Sequence, residues 1–143
     1  MSKAIDSSDW LRAAKHWSAV AKNLPQKEKQ FLRKEGTKLQ KKTKTQAKQA
    51  TRSAGRLKVK TGNYVASIKR GKVYDYQGIM AVRVYSTAPH GHLIEDGHRM
   101  VLHDGTEVGF VPGFHVFEVA GKAFSAEYLT DIDDFLDKTV EDL

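Results

Sequence analysis

The chain has 143 residues, 40% of them apolar and 29% charged, and its 24 Lys and Arg against 17 Asp and Glu give a formal net charge of +7. This length and composition predict one globular domain over residues 1–143. The absence of cysteine excludes a disulfide framework, a thiolate zinc site and a cysteine nucleophile.

Nothing in the sequence points to a membrane or to secretion. No apolar run approaches the roughly 18 residues of a membrane span. The first residues, MSKAIDSSDW, lack the apolar core of a signal peptide. We therefore expect a soluble protein that is made in the cytoplasm and has no membrane partner.

The net charge hides a division between two segments. Residues 22–60 hold fourteen Lys and Arg against two acids, and residues 118–143 hold eight acids against two lysines. A basic segment attracts a polyanion or an acidic protein surface. Two functions therefore compete: holding nucleic acid, and assembling with copies of the same chain.

The N-terminal segment predicts an amphipathic helix. Ser7, Ser8 and Asp9 are good N-caps. Apolar residues then recur at spacings of four and three, which places them on one helix face: Trp10, Ala14, Trp17, Ala21 and Leu24. Pro25 should end this helix, because proline disfavours the helical conformation of the residue before it.

A second, Lys-rich helix is predicted from about Pro25 to Ser53, completing a helical arm over residues 1–55. Its few apolar residues indicate a helix that is largely solvent-facing or stabilised by a partner. Like charges four residues apart repel, so a chain that keeps them should neutralise them on something. The candidate contacts with a DNA channel or an acidic partner are Lys34, Lys38, Lys41, Lys42, Lys44, Lys48 and Arg52.

Short strands should follow over residues 56–112. Residues 64–68 predict a single helical turn, and residues 73–76 and 80–85 predict two strands joined at Gln77-Gly78. Asp104-Gly105, between two short apolar runs, is a strong hairpin signal.

The last segment, residues 113–143, predicts a long amphipathic helix after Pro112-Gly113. Its apolar stripe runs from Phe114 to Leu136, and its other side is acidic. The predicted fold class is therefore α+β: N-terminal helices including a long basic helix, an antiparallel sheet of about four strands, and a long C-terminal helix. We expect both this stripe and the Trp10–Leu24 stripe to pack on the sheet, with any surplus buried against neighbouring subunits.

Catalytic chemistry finds little support. Histidines at 90, 92, 98 and 103, with Glu95 and Asp96 among them, are residue types that bind zinc or iron, but no established ligand spacing is present. An irregular, Gly-rich surface loop is the better explanation of them. Gly121-Lys122 lacks the remaining residues of a P-loop, and no serine lies in a G-x-S-x-G motif. We expect no enzyme activity and no cofactor.

The basic segment is the strongest functional feature. Lys and Arg neutralise phosphates and release counterions, so binding weakens steeply with salt. The predicted basic helix contains one aromatic residue, Phe31, too few for base stacking along a single strand. Any nucleic acid should therefore be contacted through its backbone, without sequence preference. A basic helix face that is merely soluble is an equal alternative.

Three motifs, in this order, resemble a known family. They are Thr61-Gly62-Asn63-Tyr64 leading to Ser67-Ile68, Ala88-Pro89 followed by Ile94-Glu95 and Gly97, and Pro112-Gly113-Phe114 before a helix. Together they cover about residues 25–125. This stretch is similar to the small neck, or tail-completion, proteins of long-tailed bacteriophages and prophages, which join heads to tails or act as minor tail components.

The motif residues have structural explanations of their own. Gly62 should adopt a backbone conformation that other residues resist, and Pro89 should end a strand. Glu95 and Gly97 should shape a turn. The positions matched to the family are Gly62, Tyr64, Ile68, Pro89, Glu95, Gly97, Pro112 and Gly113.

The resemblance implies a non-enzymatic virion protein of the neck. It implies assembly into a ring, a hexamer, between the connector or stopper proteins and the tail terminator or tail tube, with DNA in the channel. The basic helix would face either that DNA or acidic surfaces of neighbouring subunits. The alternative is a nucleic-acid-binding module that uses the Lys-rich helix without sequence specificity.

Overall fold

One helix accounts for the first third of the chain. In the computed structural model, which describes residues 7–53 and 61–142, helix α1 runs without interruption over Ser7–Ser53. Its sequence is rich in Ala, Lys and Gln, which favour helix formation. The predicted long basic helix is confirmed, and Ala54 and Gly55, expected just beyond its end, lie outside the described residues.

The predicted break at Pro25 is wrong, because Pro25 lies inside α1. Proline within a helix removes one backbone hydrogen bond and costs about 3 kcal/mol. Contacts to Asp142 lie on both sides of Pro25. The backbone carbonyl of Asp142 lies 2.7 Å from His16 Nε2, and the Asp142 carboxylate pairs with Lys27. These contacts are exposed and each contributes at most about 1 kcal/mol.

A short helix and a two-stranded ribbon follow. Helix α2 spans Thr61–Ser67, where a single turn is predicted. Each arm of the ribbon contains two short strands. The first arm holds β1 (Ile68–Arg70) and β2 (Tyr74–Tyr76), and the returning arm holds β3 (Ile79–Ala81) and β4 (Val84–Ser86). β1 pairs with β4 and β2 with β3, both antiparallel, with the register shifting by one residue between the two ladders.

The ribbon turns where the sequence predicts. Gln77 and Gly78 both have positive φ, 53° and 82°, as a two-residue hairpin turn that matches the twist of the strands requires. The Asp75 carboxylate accepts a hydrogen bond from the Gly78 amide at 3.0 Å. The ribbon packs against α1 at Gly36, where a Cβ atom would lie 3.0 Å from the Arg70 side chain.

The second hairpin follows helix α3 (Gly91–Asp96) and consists of β5 (Gly97–Val101) and β6 (Glu107–Pro112). The Asp104-Gly105 prediction of a hairpin is confirmed. The loop has three residues rather than two, since the Leu102 amide bonds to the Thr106 carbonyl and Gly105 has φ 86°. Together the described strands form three separate two-stranded ladders, not a single sheet.

The chain ends in helix α4 (Val116–Glu141), which packs along α1. The buried core lies where α1, α2, β1 and α4 meet, at Ala47, Tyr64, Ile68 and Val116. The α+β class, with long helices at both ends and small antiparallel elements between, is confirmed. No helix in the described part of the chain is long and apolar enough to cross a membrane.

Candidate interaction surfaces

The basic residues of α1 divide between two faces. Lys34, Lys41 and Lys48 recur every seven residues, which places them on one stripe about 10 Å apart. Arg52 continues this stripe, and Lys44 lies beside it. The helix face that carries Thr43 and Ala47 is buried, so the stripe points away from the core.

This exposed basic stripe has little compensation within the chain. Lys41, Lys44, Lys48 and Arg52 form no ion pair with any residue in 7–53 or 61–142. Lys34 contributes a Coulombic attraction to Asp131 without a direct ion pair. Phosphate groups or the acidic surface of another protein would supply the missing negative charge.

Lys38 and Lys42 belong instead to the packing of α4 on α1. Lys38 Nζ lies 2.5 Å from Asp131 Oδ2 and 3.2 Å from Glu35 Oε1. Lys42 Nζ lies 2.7 Å from Glu127 Oε2. The acidic partner of these two lysines is therefore the last helix of the same chain, whereas the sequence predicted DNA or acidic surfaces of neighbouring subunits.

Glu35 is the buried member of this charge cluster, with only 2% of its surface exposed. Burial raises its pKa, against the opposing effect of Lys38. The hydrogen bond from Lys38 lowers the pKa of Asp131, and the same bond raises the pKa of Lys38. Glu35 Oε2 has no hydrogen-bond partner among the described residues. The cluster thus joins two helices through Lys38 while burying one carboxyl group.

Glu95 has a role that the sequence did not reveal. Both of its carboxylate oxygens lie 3.1 Å from the Phe117 amide, and Oε1 lies 3.3 Å from the Glu118 amide. These amides are in the first turn of α4, where backbone donors lack helical partners and negative charge is favoured. The residue expected to shape a turn therefore caps a helix that begins 21 positions later in the chain.

Gly97 and Gly113 let the backbone ends of α3 and α4 approach each other. Gly97 has φ 83°, and a Cβ atom on it would lie 2.3 Å from the Val111 carbonyl oxygen. A Cβ atom on Gly113 would lie 2.1 Å from the Glu95 carbonyl oxygen. The Phe114 amide donates to the Ile94 carbonyl at 2.8 Å across the same junction. Pro112 is the last residue of β6 and precedes this contact.

The first matched motif builds the core under this junction. Tyr64 and Ile68 are buried, at 2% and 0% exposure, and Gly62 lies in the first turn of α2. Burial and the nearby Glu95 charge raise the pKa of Tyr64 to about 12. Pro89 is expected to end a strand, but β4 already ends at Ser86, and two residues lie between it and Pro89. These positions organise the fold and bring no reactive groups together.

The histidines fall on separate elements. His92 lies in α3, His98 in β5 and His103 in the hairpin loop, while His90 precedes α3. Among the residues that the structure describes, no group of three or more His, Cys, Asp or Glu side chains could hold a metal ion.

Large apolar side chains are exposed at the N-terminal end of α1. Trp10 is 65% exposed and Trp17 56%, so the expectation that this stripe packs on the sheet is wrong. The reason is geometric: the helix continues through Pro25, which carries these residues away from the ribbons instead of folding them back. The stripe from Phe114 to Leu136 packs mainly on α1 through Tyr128 and Phe135, and Leu136 is exposed.

Comparison with known proteins gives one family. A family model described as "Bacteriophage HK97-gp10, putative tail-component" matches residues 13–97. No curated protein and no solved structure matches the chain. The matched segment includes the exposed basic stripe, the first ribbon and the Glu95–Gly97 junction.

Proposed function

The chain belongs to the family of HK97 gp10-like phage tail components, and on this premise we propose that it is a structural neck protein that joins the head connector to the tail. The family match carries this proposal, since it covers more than half of the chain. Membership in a family of tail components implies a location in the virion. It also favours an architectural role over an enzymatic one.

The finer proposal is a ring, a hexamer, around the DNA channel. Two features support it: the exposed basic stripe of α1, and apolar surface on both long helices that the described residues leave uncovered. Unlike patches on one chain join head to tail into a ring when the rotation closes. Connector or stopper proteins on one side and the tail terminator or tail tube on the other would complete the partners.

Deleting the gene in the phage or prophage that encodes it tests this role. The expected products are DNA-filled heads and complete tails that fail to join, seen by electron microscopy. Supplying the wild-type chain in trans should restore joined particles that contain it. Joined, infectious particles without the protein would contradict the proposal.

A second candidate is a sequence-nonspecific nucleic-acid-binding module. It is favoured by four basic residues that form no ion pair with any described residue: Lys41, Lys44, Lys48 and Arg52. Such a module would hold a short DNA duplex tightly as a single chain, with an affinity that falls steeply with salt. A neck protein should bind free duplex weakly and should associate with itself and with connector or tail proteins.

A further inference from the structure

The N-terminal part of α1 carries an apolar stripe that nothing in the described chain covers. We call Trp10, Trp17 and Leu24 the tryptophan stripe. Their exposed fractions are 65%, 56% and 37%. They recur every seven residues, so they lie on one helix face about 21 Å long. Exposed tryptophans in a row indicate a binding surface, since aromatic side chains contribute most to contacts between proteins.

The tryptophan stripe continues an interface that already exists in the chain. Phe31 lies seven residues after Leu24, on the same helix face. Its ring stacks on Phe135 of α4 at 4.7 Å and contacts Tyr128 at 6.2 Å. The face of α1 that binds an α4 helix thus extends toward the N-terminus. The expected occupant of the uncovered part is another helix like α4.

A matching surface lies on the outer side of α4. We call Leu129, Leu136 and Val140 the leucine stripe. Their exposed fractions are 63%, 52% and 63%. Leu129 directly follows Tyr128, and Leu136 directly follows Phe135. Tyr128 and Phe135 contact α1, and each leucine is turned about 100° around the helix from the residue before it. The leucine stripe therefore points away from α1 of its own chain and is open to another molecule.

A contact between the two stripes would be apolar. Asp133 and Asp137 lie beside the leucine stripe, are exposed, and form no ion pair with the described residues. The exposed lysines of this part of α1, Lys15, Lys22 and Lys29, lie roughly 120–160° around the helix from Trp17, so they do not face the leucine stripe.

We propose that the tryptophan stripe of one copy binds the leucine stripe of the next copy. The two surfaces are unlike, so the contact is head to tail and leaves one free stripe of each kind until a ring closes. The inference rests on the proposed function, because it names the surfaces that join neighbouring copies in the ring. The spacing of seven residues on α1, and of seven and then four on α4, suits side-chain packing of the coiled-coil kind.

Disulfide trapping tests the contact directly, because the natural chain has no cysteine. Ala21→Cys and Asp133→Cys place one thiol near the middle of each stripe and leave all six stripe residues intact. The two variants are purified separately, mixed and oxidised. We expect a mixed disulfide dimer to form faster than either variant pairs with itself. Adding Trp17→Ala to the first variant should lower its yield roughly tenfold.

Val108→Cys provides the matched control, because Val108 lies on β6 and is as exposed as Leu136, both at 52%. It should give no more mixed dimer with Ala21→Cys than random collision does. Preferential pairing of Ala21→Cys with itself would replace the proposal with a symmetric pairing of α1 helices. Preferential pairing with Val108→Cys, or equal yields for all mixtures, would also overturn it.

This result can be separated from the neck role. If the deletion phenotype shows unjoined heads and tails but trapping fails, the protein is a neck component that uses other surfaces. If trapping succeeds but deletion leaves particles joined, the chain self-associates for another purpose.

Discussion

At the scale of single residues, the matched motifs serve the junction between α3 and α4. The Glu95 carboxylate binds the amides of Phe117 and Glu118, and Gly97 allows the close backbone approach beside it. The E-x-G pattern is thus explained by two needs, a capping anion and a residue without a side chain. A substitution at either position should act through the start of α4.

Glu95→Ala should destabilise the protein by about 1 kcal/mol, the usual value of a helix cap, because two amide groups lose their acceptor. The free energy of unfolding from urea denaturation measures this loss. Glu95→Gln, which keeps one acceptor oxygen but no charge, should lose less. If Glu95→Ala unfolds at the same urea concentration as the natural chain, the carboxylate does not cap α4.

At the scale of elements, α1 and α4 are joined by aromatic contacts and by one charge cluster. Phe31 packs against Phe135 and Tyr128, while Lys38 bridges Glu35 and Asp131. The two carboxyl groups respond to pH in opposite senses, because burial dominates at Glu35 and the bond from Lys38 dominates at Asp131.

Glu35→Gln should stabilise the protein near neutral pH. Burial raises the folded-state pKa of Glu35 above its ordinary value of 4.5, so its protonated form is favoured by folding. That contribution is fully present below pH 4.5 and is lost as pH rises through the folded pKa. The amide is never charged and avoids this loss. Melting temperatures measured from acid to neutral pH should therefore be similar for both proteins in acid. As pH rises, the melting temperature of Glu35→Gln should increasingly exceed that of the natural chain.

Asp131→Asn is the opposing control. The pKa of Asp131 is lowered by Lys38, so its contribution is present above the ordinary value of 3.8 and is lost as pH falls. This variant should be less stable than the natural chain near neutral pH, and the difference should vanish in acid. A melting temperature of Glu35→Gln below that of the natural chain at neutral pH would show that the charged Glu35–Lys38 pair outweighs burial.

At the scale of the whole molecule, the basic segment of α1 and the acidic segment of α4 partly neutralise each other within the chain. The acids of α4 cover Lys38 and Lys42, while Lys34, Lys41 and Lys48 stay on the outer face of α1. In the C-terminal half of α1, the exposed basic residues therefore lie mainly along one stripe rather than evenly around the helix.

The triple variant Lys34→Gln, Lys41→Gln, Lys48→Gln should weaken the binding of the free chain to DNA. If each lysine meets a phosphate, the slope of log Kobs against log salt should become less negative by roughly 2 to 3. Titration of a short duplex at several salt concentrations measures this slope. Because these side chains are exposed, the fold should keep its melting temperature within a few degrees.

The matched control is a second triple variant, Lys15→Gln, Lys22→Gln, Lys29→Gln. It has the same charge change and the same spacing on another face of α1. Its slope should stay close to that of the natural chain. Equal changes for both triple variants would mean that DNA responds to total charge and not to the exposed basic stripe.

Local sequence patterns were enough to predict the type and order of the main elements. The period of the apolar residues predicted the helices, and Gln77-Gly78 and Asp104-Gly105 predicted both hairpin turns, because these signals lie within a few neighbouring residues. The basic and acidic segments were equally visible. The motifs also led to the right family.

Only the tertiary structure decided which groups meet. Lys38 and Asp131 are 93 positions apart, and no local pattern states that they pair within one chain. The cap from Glu95 to α4 likewise depends on a contact between distant segments. Such contacts are set by the packing of whole helices, so the sequence showed the charges and the tryptophans while the fold decided which of them remain exposed for partners.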